Sequence, residues 1–162
     1  MTGFGAAILG CAGTRLTAQE RRLYAQTRPF GFILFARNLD SAEQIRALTS
    51  DMRDAVGHDA PVFIDQEGGR VQRLRPPLAR DWLPPLDEVA RFGPNAAQAM
   101  ALRYRLIAAE LRGLGIDGNC VPTLDVVRPD THAVLLNRCY ADTPARVAEI
   151  GQAVVQRCLQ GG

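Results

Sequence analysis

The densest group of residues able to do chemistry is the run Asp65–Arg73, which reads Asp-Gln-Glu-Gly-Gly-Arg-Val-Gln-Arg. It follows a short apolar run, so we expect it at the carboxyl end of a strand, where barrel enzymes place their sites. In an extended chain the carboxylates of Asp65 and Glu67 share a face, as a general acid and base pair does. The alternative is an ion-paired turn in which Gly68 and Gly69 adopt positive φ. A phosphate cradle at these glycines is disfavoured because no helix begins directly after them.

Further polar or aromatic candidates lie in the loops of the second half. Arg138 is suited to planar, multi-donor recognition of hydroxyl or carboxylate oxygens. Asp125 either binds a ligand or fixes its loop, and the structural role is favoured. His132 is interpreted as a solvated loop histidine because no carboxylate partner is evident. Trp82 either stacks on a sugar ring or covers the rim of the site.

Composition excludes several classes of function. All 19 basic residues are Arg, which excludes a lysine Schiff base within this chain. The net charge is +2 and Arg21-Arg22 is the only adjacent basic pair, so no nucleic-acid partner is predicted. Four cysteines without a C-x-x-C motif, beside two histidines, indicate neither a zinc site nor a disulfide framework, and no metal or cofactor is predicted. The uncharged stretch 2–14 is too short to span a bilayer, so no membrane partner is predicted either.

These candidates must be positioned by an alternation of short apolar runs and helical patterns. Buried strands are predicted at Ala6–Leu9, Gly31–Phe35, Pro61–Ile64 and Ile116–Val121. After the third strand, two Pro-Pro pairs predict a long segment that is not helical throughout.

A helix is predicted after each strand. The first begins at a Thr17/Glu20 capping box and continues to about Gln26, with Leu23 and Tyr24 on its apolar side. The second begins with the same signature and ends near Gly57, and its apolar face is Ile45, Leu48, Met52 and Val56. The third carries Met100, Tyr104, Ile107, Ala108 and Leu111 and ends by Gly113. The fourth opens at Thr143-Pro144, buries Val147, Ile150, Val154 and Cys158, and stops at Gly161.

Four strand and helix units in succession predict an α/β fold with a parallel sheet. Doubly wound sheets and (β/α)8 barrels both begin this way, but long polar loops after the third and fourth strands favour the TIM-type barrel. A whole barrel needs about 250 residues, so the sequence is interpreted as truncated at Gly161-Gly162. Residues 1–162 are expected to form the first four βα units of one barrel domain.

Two motifs carry a resemblance to a known family. The run Gly31–Asn38 followed by Phe63–Arg73 resembles the bacterial β-N-acetylhexosaminidases of glycoside hydrolase family 3, the NagZ type. Val121–Val126 and Asn137–Tyr140 fall in the family's order, although Cys139 departs from the usual Arg-Ser-Phe or Arg-Ser-Tyr. The resemblance implies a TIM-like barrel that removes terminal N-acetylglucosamine from anhydromuramoyl fragments during cell-wall recycling. It also implies a cytoplasmic location and no metal or nucleotide cofactor.

The resemblance assigns sugar binding to Asp65, Arg73 and Arg138, with Glu67 and Arg70 as scaffold. The family continues with Lys-His, Pro-Gly-His-Gly, an Asp-x-His acid/base loop and a nucleophilic aspartate. None of these follows Arg138 here, so we expect no catalytic residue in this chain and no activity from it alone. The alternatives are a family 3 β-glucosidase or xylosidase, or a noncatalytic sugar-binding half-domain. An open sheet of four strands also predicts self-association through its edges.

Overall fold

The computed structural model describes residues 3–160. The strands are β1 (Gly5–Leu9), β2 (Pro29–Leu34), β3 (Val62–Ile64), β4 (Gln66–Gly68), β5 (Val71–Gln72) and β6 (Gly118–Asn119). The helices are α1 (Ala18–Thr27), α2 (Ala42–Val56), α3 (Pro85–Phe92), α4 (Ala96–Arg112), α5 (Ala133–Leu136) and α6 (Pro144–Gln160), with short 3₁₀ turns at Ala36–Asn38 and Gly93–Asn95. Two compact units contain them: residues up to 65 with 111–119, and residues 66–110 with those from 120 onward. That the whole chain is one part of a single barrel domain stays a prediction.

The first unit is built on a four-stranded parallel sheet. Its strand order, β1-β2-β3-β6, follows the sequence order, as successive βα units predict. The register aligns Phe32 with Val62 and Phe63 with Gly118. The predicted α/β class and parallel sheet are therefore confirmed.

The prediction that the first strand is buried on both faces is wrong. β1 pairs with β2 alone among the strands described, and Ala6, Ala7 and Ile8 are exposed. Ile8 keeps 47% of its accessible surface. An apolar strand is buried only where other elements cover it. Within residues 3–160 no element covers Ala6, Ala7 and Ile8 enough to bury them.

Capping interactions fix the first two helices. The Thr17 hydroxyl accepts the Glu20 N–H at 3.1 Å and the Glu20 carboxylate accepts the Thr17 N–H at 2.8 Å, which confirms the capping box. Ser41 caps α2 through the Gln44 N–H, and the helix ends at Gly57 in the left-handed conformation. The predicted apolar face of α2 is buried. On α1 Tyr24 is buried but Leu23 is 47% exposed, so the buried side of this helix is narrower than the predicted apolar side.

The fourth strand is shorter than predicted. β6 covers Gly118–Asn119 rather than 116–121: the Ile116 N–H bonds the Leu111 carbonyl at the end of α4, and the paired strand β3 ends at Ile64, opposite Asn119. The Asp117 carboxylate holds this end of the sheet: it accepts the Val62 N–H at 2.8 Å and pairs with Arg53 at 2.7 Å.

The second unit contains what sequence patterning treats as a long loop. An antiparallel hairpin, β4–β5, follows directly on the first unit, and α3 begins at Pro85 after the second Pro-Pro pair. Val147, Ile150 and Val154 of α6 are buried as predicted, whereas Cys158 is only half-buried. The helix stop predicted at Gly161 lies outside the described residues. No helix within residues 3–160 has the length and apolar character needed to cross a membrane.

Candidate active site

Within the run Asp65–Arg73, strands β4 and β5 pair as a tight hairpin that the buried side chain of Gln66 holds at its base. The side-chain carbonyl of Gln66 accepts the N–H groups of Arg73 and Leu74, both at 3.0 Å, and its amide donates to the Leu74 carbonyl at 2.9 Å. Gln66 is fully buried, as such a bonded amide can be. These bonds set the point at which Arg73 leaves the hairpin.

The turn of the hairpin matches the ion-paired alternative. Gly68 has φ +108° and Gly69 φ +59°, both in the region that favours glycine. Glu67 keeps only 2% of its surface exposed. Its carboxylate is not a free acid or base but accepts two hydrogen bonds from Arg138: Nε to Oε2 at 2.8 Å and Nη2 to Oε1 at 2.7 Å. This planar, two-pronged pair fixes the guanidinium in orientation as well as in position.

The backbone around Arg138 is also held. The Thr123 hydroxyl donates to the Arg138 carbonyl at 2.6 Å, and the Arg138 N–H donates to Leu135 at 3.0 Å. The preceding residue, Asn137, accepts the Arg70 Nε–H on its side-chain oxygen at 3.3 Å. Glu67 and Arg70, which the resemblance treats as scaffold, thus both bind the segment that carries Arg138.

Two of the three predicted sugar-binding residues directly follow strands, and the third, Arg138, follows the short helix α5. Asp65 directly follows β3 and belongs to the first unit, while Arg73 follows β5 and, with Arg138, belongs to the second. All three side chains are half-buried. Their sugar-binding roles stay predictions.

The other candidates occupy structural or exposed positions. His132 is exposed, and its Nδ1 accepts the Val134 N–H at 3.1 Å as the N-cap of α5. The letters Asp130-Thr131-His132 match an Asp-x-His pattern, but they precede Arg138 rather than follow it. Asp125 is exposed in its loop. Among residues 3–160, no three His, Cys, Asp or Glu side chains cluster so that they could hold a metal ion.

Trp82, the only tryptophan of the sequence, is half-buried, and two guanidinium groups lie near its ring. Arg80 lies 5.3 Å from the centre of its ring and Arg103 lies 5.5 Å from it. Its ring therefore takes part in cation–π contacts of the second unit. Whether it also touches a sugar stays a prediction.

Sequence reasoning missed the buried network beneath this hairpin. Arg103, on α4, and Tyr104 beside it both bond the carbonyl of Glu67. The one signal in the sequence is Arg103 itself, a charged residue within the apolar face of a predicted helix. Burial raises the pKa of Tyr104 well above its ordinary value, and the neighbouring Tyr140 raises it further.

Comparison with known proteins places this geometry in a family. Residues 7–161 match the glycosyl hydrolase family 3 N-terminal domain. The chain belongs to glycoside hydrolase family 3. It is 37% identical over 153 residues to a β-hexosaminidase of Stenotrophomonas maltophilia, which covers 92% of this chain and 44% of that protein. It is also 37% identical over 162 residues to a β-hexosaminidase of Alkalilimnicola ehrlichii, covering 98% of this chain and 46% of that protein. The chain thus spans about half the length of these relatives.

Solved structures show the same family fold. NagZ from Neisseria gonorrhoeae, solved with N-trifluoroacetyl-D-glucosamine, superimposes with a TM-score of 0.87 at 30% identity, over 98% of this chain and 48% of that one. A family 3 β-N-acetylglucosaminidase from Paenibacillus gives 0.82 at 26% identity, over 95% of this chain and 29% of that one. The α/β fold of this chain is that of the TIM-barrel-like N-terminal domain of the family.

Proposed function

We propose that the protein is a β-N-acetylhexosaminidase that hydrolyses terminal β-linked N-acetylglucosamine. The observation that carries the proposal is the 37% identity to β-hexosaminidases across 92–98% of this chain. The finer proposal is that the sugar is removed from anhydromuramoyl cell-wall fragments in the cytoplasm. Its support is the resemblance of the 65–73 motif to the NagZ type.

In this proposal residues 1–162 bind and orient the sugar. Asp65 accepts hydrogen bonds from sugar hydroxyls, while Arg73 and Arg138 donate to sugar oxygens, which holds the ring for attack. The Glu67–Arg138 pair supports this role, because a guanidinium fixed before the sugar binds loses little conformational freedom on binding.

The chemistry proposed is retaining hydrolysis through a glycosyl-enzyme intermediate. An aspartate attacks the anomeric carbon as the bond to the leaving oxygen breaks, and a histidine protonates that oxygen. Water then releases the sugar, with the histidine acting as base. Both residues are expected outside residues 1–162, so this chain alone is expected to show no turnover.

Three aryl substrates test the proposal. The complete gene product carrying these residues should hydrolyse the N-acetyl-β-D-glucosaminide at least about a hundredfold faster than the β-D-glucoside or β-D-xyloside, measured as kcat/KM. A preference for the glucoside or xyloside would assign it to those enzymes of the family. Sugar binding with no hydrolysis of any substrate would instead indicate a noncatalytic binding protein.

A further inference from the structure

A buried arginine that lies outside the family motifs contacts the β4–β5 hairpin. Arg103 projects from the middle of α4 and keeps 1% of its side chain exposed. A buried guanidinium is costly unless each of its donors finds a partner. Its Nε has no hydrogen-bond partner within residues 3–160. A contribution to the stability of the fold therefore does not by itself explain why an arginine occupies this position.

The remaining donors of Arg103 converge on the hairpin. Nη2 donates to the backbone carbonyl of Glu67, and Nη1 lies 3.3 Å from the carboxylate of Glu88. The Tyr104 hydroxyl donates to the same Glu67 carbonyl at 3.0 Å. The guanidinium also lies 5.3 Å from the centre of the Tyr104 ring. Two buried donors thus fix one carbonyl oxygen.

The residue after Glu67 leaves room for this contact. A Cβ atom at Gly68 would collide with the Arg103 guanidinium and would lie 2.7 Å from the Leu83 carbonyl. The positive φ of Gly68 is a second reason for glycine here. The close approach of Arg103 to the hairpin and the choice of glycine therefore depend on each other.

We propose that Arg103 is a positioning residue for Arg138 and acts through Glu67. Arg103 and Tyr104 hold the backbone of Glu67, whose carboxylate holds Arg138 by two hydrogen bonds. The four residues carry alternating charges in the order Glu88, Arg103, Glu67 and Arg138. Loss of Arg103 lets the Glu67 backbone shift, and the Arg138 guanidinium shifts with it. The consequence for substrate rests on the proposed sugar-binding role of Arg138.

The test replaces the buried pair without leaving a lone charge. The double variant Arg103→Met/Glu88→Gln removes both partners, which is far less damaging to folding than removing one. Arg105→Met, at an exposed position on the same helix, is the matched control.

Nuclear magnetic resonance of the 162-residue chain measures the hydrogen exchange of the Arg138 side chain directly. Its Nε–H signal is assigned by its loss in Arg138→Lys, and we expect its exchange with water to be slow while Glu67 accepts it. Exchange should become about tenfold faster in the double variant, as expected when a charged hydrogen bond weakens by about 1.4 kcal/mol. Exchange unchanged in a folded double variant, or equally fast in Arg105→Met, overturns the proposal.

Kinetics of the complete gene product give a second reading. The double variant should raise KM for the N-acetylglucosaminide about tenfold with kcat within about twofold, because Arg138 grips the sugar in ground and transition states alike. A purely structural role for Arg103 would instead lower kcat with the active fraction and leave KM unchanged, which contradicts positioning. If the wild type lacks hydrolysis, the proposed function fails, while the Arg138 exchange measurement still decides the role of Arg103.

Discussion

Glu67 and Arg138, 71 residues apart in the chain, form a two-pronged ion pair whose acidic partner is 2% exposed. Arg138 keeps 27% of its side chain exposed, so the pair has a buried side and a side open to solvent. The buried carboxylate thus orients a cation that remains accessible.

Replacing Glu67 with Gln should lower the free energy of unfolding by about 1.5–3 kcal/mol, because Arg138 loses its charged acceptor. Urea unfolding followed by Trp82 fluorescence measures it. The matched control is Glu43→Gln, whose pair with Arg46 is 3.3 Å long and whose side chain is 82% exposed. That control should change stability by no more than about 0.5 kcal/mol. An equal loss of unfolding free energy in the two variants would contradict a stabilising role for the Glu67–Arg138 pair.

The predictability of the fold from sequence follows from how local its signals are. The Thr17/Glu20 capping box and the buried face of α2 involve residues within one or two turns, so patterning found both. The burial of Glu67 depends on Arg138, a partner far away in the chain, and periodicity has no means of finding it. Gln66 is likewise buried only because it satisfies backbone groups of its own hairpin.

Removing either of two predicted sugar contacts should impair catalysis by the complete gene product. Asp65→Asn or Arg73→Ala is expected to lower kcat/KM for an aryl N-acetyl-β-D-glucosaminide by roughly ten- to a thousandfold, as about 1.5–4 kcal/mol per lost charged hydrogen bond implies. Arg105→Ala, at an exposed position on α4, is the control and should leave kcat/KM unchanged within about twofold. Wild-type kinetics in Asp65→Asn and Arg73→Ala would remove those residues from the site.

Alkaline pH should destabilise the fold through Tyr24. Burial raises the pKa of Tyr24 to about 12, and its hydroxyl donates to the Gly10 carbonyl at 2.7 Å. Because the folded pKa lies above the unfolded value of about 10, this contribution is complete below pH 10 and is lost as the pH approaches 12. Between pH 8 and pH 11 the wild type should lose about 1.4 kcal/mol more than Tyr24→Phe, measured by urea unfolding with circular dichroism. An identical fall in both proteins would show that Tyr24 does not titrate in this way.

Self-association should involve the exposed edge and face of β1. Ile8 is 47% exposed beside Phe4 at 52% and Phe30 at 48%, and unpaired strand edges favour pairing with another chain. Light scattering of the 162-residue chain should show dimers or larger species, and Ile8→Lys should shift them toward monomer. Leu23→Lys, equally exposed on α1, is the control and should not. A wild type that stays a stable monomer at high micromolar concentration would contradict the prediction.

Two buried glutamines bond the backbone of the hairpin and of the loop that follows it. Gln72 donates to the Leu74 carbonyl at 2.9 Å and the Arg80 carbonyl at 2.7 Å, and accepts the Trp82 N–H at 3.1 Å, while Gln66 binds the backbone of Arg73 and Leu74. The course of this loop is thus set in part by side chains that are buried rather than exposed to solvent. Substitution of an exposed side chain on this loop leaves the glutamine bonds to the backbone in place. The path of the backbone can therefore persist while the exposed side chains diverge between related proteins.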